Sequence, residues 1–356
     1  MTLFHGESHE EWLSMRCLKY FREGNSDRPL LVCLSGGAHL ARVFYGDRSS
    51  NPEDFLDYWL ERSGWGLLAL SYPSDHPSMN SVAPDLTIGA WAEWVSVVTS
   101  KAVQQTPNRQ VVVAMWSMAG RSAAAINIAL ASHGVDAVGF YALAASPPLP
   151  GLNFVTPGGE SLLPNGLWGG GVYVHGFLDS LSRQNQLNER TIIDEDKYLV
   201  SYRCNTPIML RGTPQRYSSG PYWNHEEAHD DMKASNFAGF PITANISPTD
   251  MSDSKHALCD RTNWGYFNLQ KVRVYTQSLD PHEAVWEQIR ILSKSINSRL
   301  SADVSGGHFF FLGSLGAKAT ARHIESLFEE LRSIRDVFES IFRPGQPGRT
   351  IPASGF

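Results

Sequence analysis

The chain has 356 residues, long for one domain and short for three, and 42% of them are hydrophobic, so one large domain with an insertion and a sizeable core is expected. Its formal net charge of −6 comes from scattered charges of both signs, which argues against a nucleic-acid partner, for which a basic face is needed. No apolar run reaches the roughly 18 to 20 residues of a membrane span, the first residues lack the basic head and apolar stretch of a secretory signal, and the four cysteines (Cys17, Cys33, Cys204, Cys259) have neither metal nor redox spacing. A cytoplasmic location, no membrane and no metal are the expectation, with the monomer and the homodimer both open.

Trp12 to Tyr20 reads as an early strand, and Leu30 to Leu34 as a buried parallel strand ending in Ser35-Gly36-Gly37-Ala38. Asn51-Pro52-Glu53-Asp54 has the form of a helix start, with Asn as N-cap and Pro at the first helical position. Trp65 to Tyr72 is a further buried strand, and Trp91, Trp94, Val95, Val98 and Ala102 share one helical face. Gln110 to Met115 is a strand, Ala119 to Ser132 a small-residue helix and Ala137 to Leu143 the next strand. From residue 146 to about 267 the alternation stops, and the composition turns to Pro, Gly, Asn and aromatics; Thr206 to Gly212 is the one strand-like piece, either insertion structure or a displaced sheet strand. Alternation resumes with a strand at Val272 to Gln277, a helix carrying Val285, Ile289, Leu292 and Ile296, a last strand at Leu300 to Val304, and a final helix carrying Ile324, Leu327, Leu331, Phe338 and Ile341. The expected division is core at 1–145, an inserted cap or lid at 146–267, core again at 268–342 and a flexible tail at 343–356. Such alternation specifies an α/β fold: a doubly wound, mostly parallel sheet with its site at the carboxyl ends of the strands.

Three residues fall just beyond strand ends. Ser117 follows the strand at Gln110 to Met115 and opens a helix, the layout of a nucleophile elbow in which a sharp turn exposes the hydroxyl. A serine hydroxyl needs a base within hydrogen-bond reach, and the base needs an orienting carboxylate. Asp280, in Ser278-Leu-Asp-Pro281, and His308, in Ser305-Gly-Gly-His-Phe-Phe310, supply both types in the chain order Ser, Asp, His. Asp303 and Asp75 remain as alternative acids.

Met115-Trp-Ser-Met-Ala-Gly120, Gly306-Gly-His-Phe309 and Leu34-Ser-Gly-Gly-Ala38 together resemble the elbow, the histidine loop and the loop after the third strand of the α/β-hydrolase superfamily. The resemblance spans nearly the whole chain apart from the middle insertion. It implies Ser117 as nucleophile, His308 as general base and then acid, Asp280 as orienter, and an oxyanion hole from the N–H groups of Met118 and Gly37, with Ala38 as second choice. It implies no cofactor. One departure stands out: the elbow calls for small residues two before and two after the serine, and Ala119 complies while Met115 does not.

His225-Glu226-Glu227-Ala228-His229 matches the H-E-x-x-H zinc motif, but a third ligand is missing at short range, and a solvated helix is the reading adopted. Aromatic residues crowd the insertion, Trp168 and Trp223 among them, and with Trp116, His39 and Phe309 they are the candidates for lining a substrate pocket. The function expected is a serine esterase or thioesterase acting on an ester, lactone or thioester of a bulky apolar small molecule, in specialised metabolism. The alternative is a non-hydrolytic or carbon–carbon-bond enzyme of the same fold, such as a cyclase, acyl transferase or C–C hydrolase, that uses the triad for proton transfer.

Overall fold

The computed structural model describes residues 3–25, 27–149, 159–171, 173–277, 279 and 283–342. Strands β1 (Glu7–Trp12) and β2 (Met15–Arg22) form an antiparallel hairpin where the sequence reads as a single strand. Its two-residue turn holds Leu13 at φ 48° and Ser14 at φ 64°. Hairpins favour that backbone because it matches strand twist, but neither residue carries the Asn-Gly signal that normally marks it. Next come β3 (Leu30–Leu34), α1 (Leu56–Arg62), β4 (Gly66–Ser71), α2 (Ile88–Val103), β5 (Gln110–Trp116), α3 (Ala123–Ser132) and β6 (Asp136–Leu143). The apolar runs of β3 and β4 are buried throughout, as strands covered on both faces must be. Asn51 does cap the turn at Pro52–Asp54 by accepting from the Glu53 N–H, and α1 follows it.

The stretch after β6 holds β7 (Leu167–Trp168), α4 (Tyr173–Leu187), α5 (Glu195–Lys197), β8 (Thr206–Pro207), β9 (Gln215–Tyr217), β10 (Pro221–Trp223) and α6 (His225–Asp231). Strands β7 with β8, and β9 with β10, form two small antiparallel ladders outside the main sheet. Thr206–Pro207 therefore belongs to this stretch and is not a displaced strand of the main sheet.

The chain re-enters the main sheet with β11 (Thr243–Pro248), followed by α7 (Ser254–Thr276), α8 (Glu283–Arg299), β12 (Ser301–Val304) and α9 (Ser314–Phe342). This corrects two expectations. Residues 272–276, expected as a strand, are the last turns of helix α7, and the returning strand lies some twenty-five residues earlier, inside the segment assigned to the insertion. Its polar residues disguise it. Thr243, Asn245 and Ser247 are buried, and Asn268 of α7 bonds both the N–H and the C=O of Thr243 at 2.9 Å, as a neighbouring strand would. The tail at 343–356 lies outside the described residues.

The eight main strands run in the order β1-β2-β4-β3-β5-β6-β11-β12. Pairings β1/β2 and β2/β4 are antiparallel; all the others are parallel. One core lies between the sheet and α1, α8 and α9, and the other between the sheet and α2, α3 and α7. This is the doubly wound, mostly parallel α/β sheet expected.

A buried ion pair ties the first hairpin to the loop after β3. Arg42 Nε and Nη2 each meet the Glu7 carboxylate at 2.7 Å, Tyr45 donates to it at 2.8 Å, and the side chains of Glu7 and Arg42 are both 0% exposed. Removing one partner leaves the other charge buried alone. Glu7→Leu is expected to lower the unfolding free energy by about 3 to 5 kcal/mol, read from urea denaturation; a loss below about 1 kcal/mol would mean that water reaches the freed guanidinium.

Candidate active site

Ser117 begins a 3-10 turn, Ser117–Ser122, between β5 and α3, and its own backbone is left-handed with φ 55°. Only close neighbours can hold a serine there. Its C=O accepts the Ser146 N–H at 2.9 Å. A Cβ on Gly36 would lie 2.8 Å from Ser117 Cβ, and one on Gly120 would lie 2.7 Å from the Ser146 oxygen, so both positions need glycine. Met115 is fully buried in the core shared with α2 and α3, and the turn keeps its strained backbone despite the larger side chain.

His308 lies in the loop between β12 and α9, with Nε2 2.9 Å from Ser117 Oγ and Nδ1 2.7 Å from Asp253 Oδ2. Three bonds lie at the start of this loop. Trp116 Nε1 donates to the His308 C=O (3.1 Å), and the N–H groups of Thr249 and Asp250 donate to the Gly306 C=O (3.2 and 3.0 Å), which joins the acid-bearing loop to the histidine loop. Gly306 itself sits at φ 129°, where a Cβ would strike Gln184 at 2.6 Å.

Asp253, the last residue of the 3-10 turn Met251–Asp253 that follows β11, thus occupies the place given to Asp280, which lies outside the described residues. Asp75 is held by Asn165 and Asn205 at 2.8 to 2.9 Å, and Asp303 is exposed. Burial acts to raise the Asp253 pKa, but the charge and hydrogen bond of His308, then His256 and Lys255, outweigh it and hold the carboxyl below its ordinary value.

The N–H of Met118 follows the serine directly, and Gly37 lies against it: a Cβ on Gly37 would be 3.2 Å from Met118 Sδ. The Ala38 N–H, the second choice for an oxyanion donor, is taken up by Thr206 Oγ1 at 2.7 Å. Buried hydroxyls set the peptide planes here. Tyr72 donates to the Gly36 C=O at 3.0 Å, which turns the Gly37 N–H the opposite way, and Thr206 bonds Tyr72 at 2.9 Å. His39 lies 2.8 Å from the Gly37 C=O through Nδ1 and 2.6 Å from the Tyr198 hydroxyl through Nε2. A carbonyl can only accept, so Nδ1 carries the proton and Nε2 accepts from Tyr198.

The five residues expected to touch substrate divide. Trp116, His39 and Phe309 are 0% exposed and pack ring to ring beneath His308, so they support the site and do not line it. Trp168 is buried against Gly37. Trp223 is exposed on β10, its indole N–H bonded to His225. Phe177 of α4, one of the aromatic residues crowding the insertion, faces His39 and His308 at centroid distances of 4.7 and 6.4 Å.

In the H-E-x-x-H segment, His225 accepts from Trp223 and His229 pairs with Ser235 at 3.1 Å. Among the described residues the one group able to offer three metal-ligand atoms, all within 4.8 Å of one another, is Asp253, His256 and His308. His256 Nδ1 is held by Asp260 at 2.9 Å, and an ion there would compete with the His308–Asp253 hydrogen bond.

The strand order, with a serine after β5, an acid after β11 and a histidine after β12, is the α/β-hydrolase arrangement. No protein-family model and no curated protein sequence matches the chain. Solved structures similar to it include the thioesterase domain from the curacin biosynthetic pathway (TM-score 0.41, 14% identity, 90% of this chain and 98% of that one). Others are Cfl2 from Burkholderia cenocepacia (0.46, 11%, 90% and 95%) and Est1E from Butyrivibrio proteoclasticus (0.43, 10%, 94% and 99%). At such scores and identities none of these likenesses bears on substrate or activity.

Asp253→Asn should slow the inactivation of Ser117 by a fluorophosphonate by up to about ten-thousandfold, because the histidine tautomer is lost, while Asp280→Asn labels near the wild-type rate. The reverse ranking would return the acid to Asp280. A second expectation concerns pH. Burial, resisted by the Gly37 hydrogen bond and reinforced by the Arg203 and His308 charges, lowers the His39 pKa to about 3 from 6.5. The unfolded chain therefore binds the extra proton first as pH falls. The His39 contribution is complete above about 6.5 and is lost toward about 3, at up to about 1.4 kcal/mol per pH unit. Urea midpoints between these limits should show a flatter acid limb for His39→Asn than for the wild type; parallel limbs would mean that His39 takes up its proton equally in the folded and unfolded states.

Proposed function

We propose that the protein is a serine hydrolase that cleaves an ester, lactone or thioester of a bulky small molecule. The observation that carries the reading is the pair of hydrogen bonds at His308, one to Ser117 Oγ at 2.9 Å and one to Asp253 at 2.7 Å. In this mechanism Ser117 Oγ attacks the carbonyl carbon while His308 Nε2 takes its proton. The N–H groups of Met118 and Gly37 receive the charge that develops on the carbonyl oxygen. His308 returns the proton to the leaving oxygen or sulfur, the bond to it breaks, and the acyl group remains on Ser117. Water then attacks the acyl carbon, again giving its proton to His308, and Ser117 is released.

Asp253, held ionised, keeps the Nδ1–H tautomer and balances the imidazolium. The stretch between β6 and β11 acts as the cap, and its aromatic side chains Phe177, Trp168 and Tyr173 support an apolar group on the substrate. Among the described residues no helix is long and apolar enough to cross a membrane.

Ser117→Ala should abolish hydrolysis of para-nitrophenyl and thioester probes and leave the melting temperature within about 2 °C of the wild type. Retained turnover rejects the serine mechanism. Fluorophosphonate labelling of Ser117 with no hydrolysis of any such probe would instead favour the non-hydrolytic, proton-transferring alternative.

A further inference from the structure

Three cations converge behind Ser117, each attached to one of the segments that build the site. Arg121 lies four residues after the nucleophile in the same turn. Lys255 lies two residues after Asp253, and its Nζ donates to Ser146 Oγ at 2.8 Å; the Ser146 N–H in turn bonds the Ser117 C=O. Arg211 lies 3.7 Å above the Trp168 ring, which itself rests against Gly37.

The charges are not equally balanced. Arg211 pairs with Glu160 at 2.6 Å, and Lys255 feels the carboxylates of Asp253 and Asp260. Arg121 has no such partner among the described residues. It is 2% exposed, its Nη1 reaches the Leu149 C=O at a long 3.4 Å, and its buried Nε has no hydrogen-bond partner. Burial, then Arg211, pushes the Arg121 pKa down to about 10; burial, then Arg121, pushes Lys255 down to about 8. Two buried cations thus oppose each other beside the nucleophile. Buried charges are ordinarily paired, because stripping water from a lone ion costs several kcal/mol. A planar guanidinium whose buried Nε edge has no partner has the geometry that pairs with the two oxygens of a carboxylate.

We propose that Arg121, flanked by Lys255 and Arg211, binds a carboxylate on the substrate, so that the enzyme acts on anionic esters or thioesters. One uncompensated guanidinium calls for one negative charge, which favours a monoanionic carboxylate over a doubly charged phosphate. This rests on the serine-hydrolase reading of the same site. It refines the apolar substrate described above into an amphiphilic one: an apolar body against the aromatic wall and a charged end behind the elbow.

Two measurements test it, one with turnover and one without. The wild type should show a kcat/KM for mono-para-nitrophenyl glutarate at least about tenfold above that for para-nitrophenyl valerate, the worth of one charge-assisted hydrogen bond. Arg121→Met should bring that ratio close to unity, and Lys255→Met, made in case the first variant folds poorly, should lower it in the same direction. In the Ser117→Ala protein, millimolar glutarate should raise the melting temperature, and Arg121→Met in that background should remove the shift.

Absence of the glutarate shift in Ser117→Ala, or a shift unchanged by Arg121→Met, overturns the carboxylate site whatever the esters show. An equal loss on both esters in Arg121→Met also overturns it, since a purely structural arginine would act that way. Failure to hydrolyse either ester instead counts against the serine mechanism, and the melting experiment then decides the anion site alone.

Discussion

The left-handed backbone of Ser117 is the constraint on which the rest of the site is built. A non-glycine residue in this region is strained by about 1 to 3 kcal/mol. The strain persists because its surroundings leave no alternative. The bare Cα of Gly36 lets the loop after β3 close on the serine, and the bare Cα of Gly120 lets the turn close on the end of β6. The Ser146 N–H then pins the Ser117 carbonyl. The same contacts that force the turn therefore set the spacing between Ser117 and the loop after β3. Relaxing the turn would move Oγ away from His308, so local strain and catalytic geometry are one property here.

Around that turn, buried polar groups orient the peptides without adding charge. Tyr72, Thr206, His39 and Tyr198 form a chain of hydrogen bonds that fixes the planes on either side of Gly37. Every member is neutral and buried, so the loop at Gly37 is held in place without a charge of its own. The two histidines near the site have opposite assignments. His39 is driven to the neutral form by burial, with both nitrogens engaged. His308 faces an ionised Asp253 on one side and the serine on the other, which is what a group that must gain and lose a proton requires.

Continuous apolar runs made β3 to β6 legible in the sequence, and the elbow and histidine loop were legible because glycine and small residues appear where the backbone turns sharply. The acid was not. The carboxylate at His308 does follow the strand before the last one, but that strand is Thr243–Pro248, whose Thr, Asn and Ser are buried, its Thr243 backbone bonded by Asn268 and its Asn245 side chain by Ser301. Nothing local reveals a polar strand whose partners lie more than twenty residues away. Meanwhile Val272-Arg-Val-Tyr carries strand-forming residues within a long helix, where tertiary packing overrides propensity. Trp116, His39 and Phe309 pack beneath His308, because sequence position cannot tell which side of a loop a ring packs against.

The stretch between β6 and β11 is too deeply stitched into the core to behave as a detachable lid. Gln184 of α4 donates to the Phe310 and Leu312 carbonyls and so braces the loop that carries His308. Tyr198 anchors His39, Arg42 reaches the Ser201 carbonyl, and the Leu40 N–H bonds Tyr202. Thr206 completes the oxyanion-loop network. Lifting residues 184–206 would break the contacts that orient the Gly37 N–H and steady the histidine loop, and would undo the site it was meant to uncover. Ser117 is already partly exposed with this stretch in place, so the stretch between β6 and β11 is better understood as bracing the loops around the serine than as a gate over them.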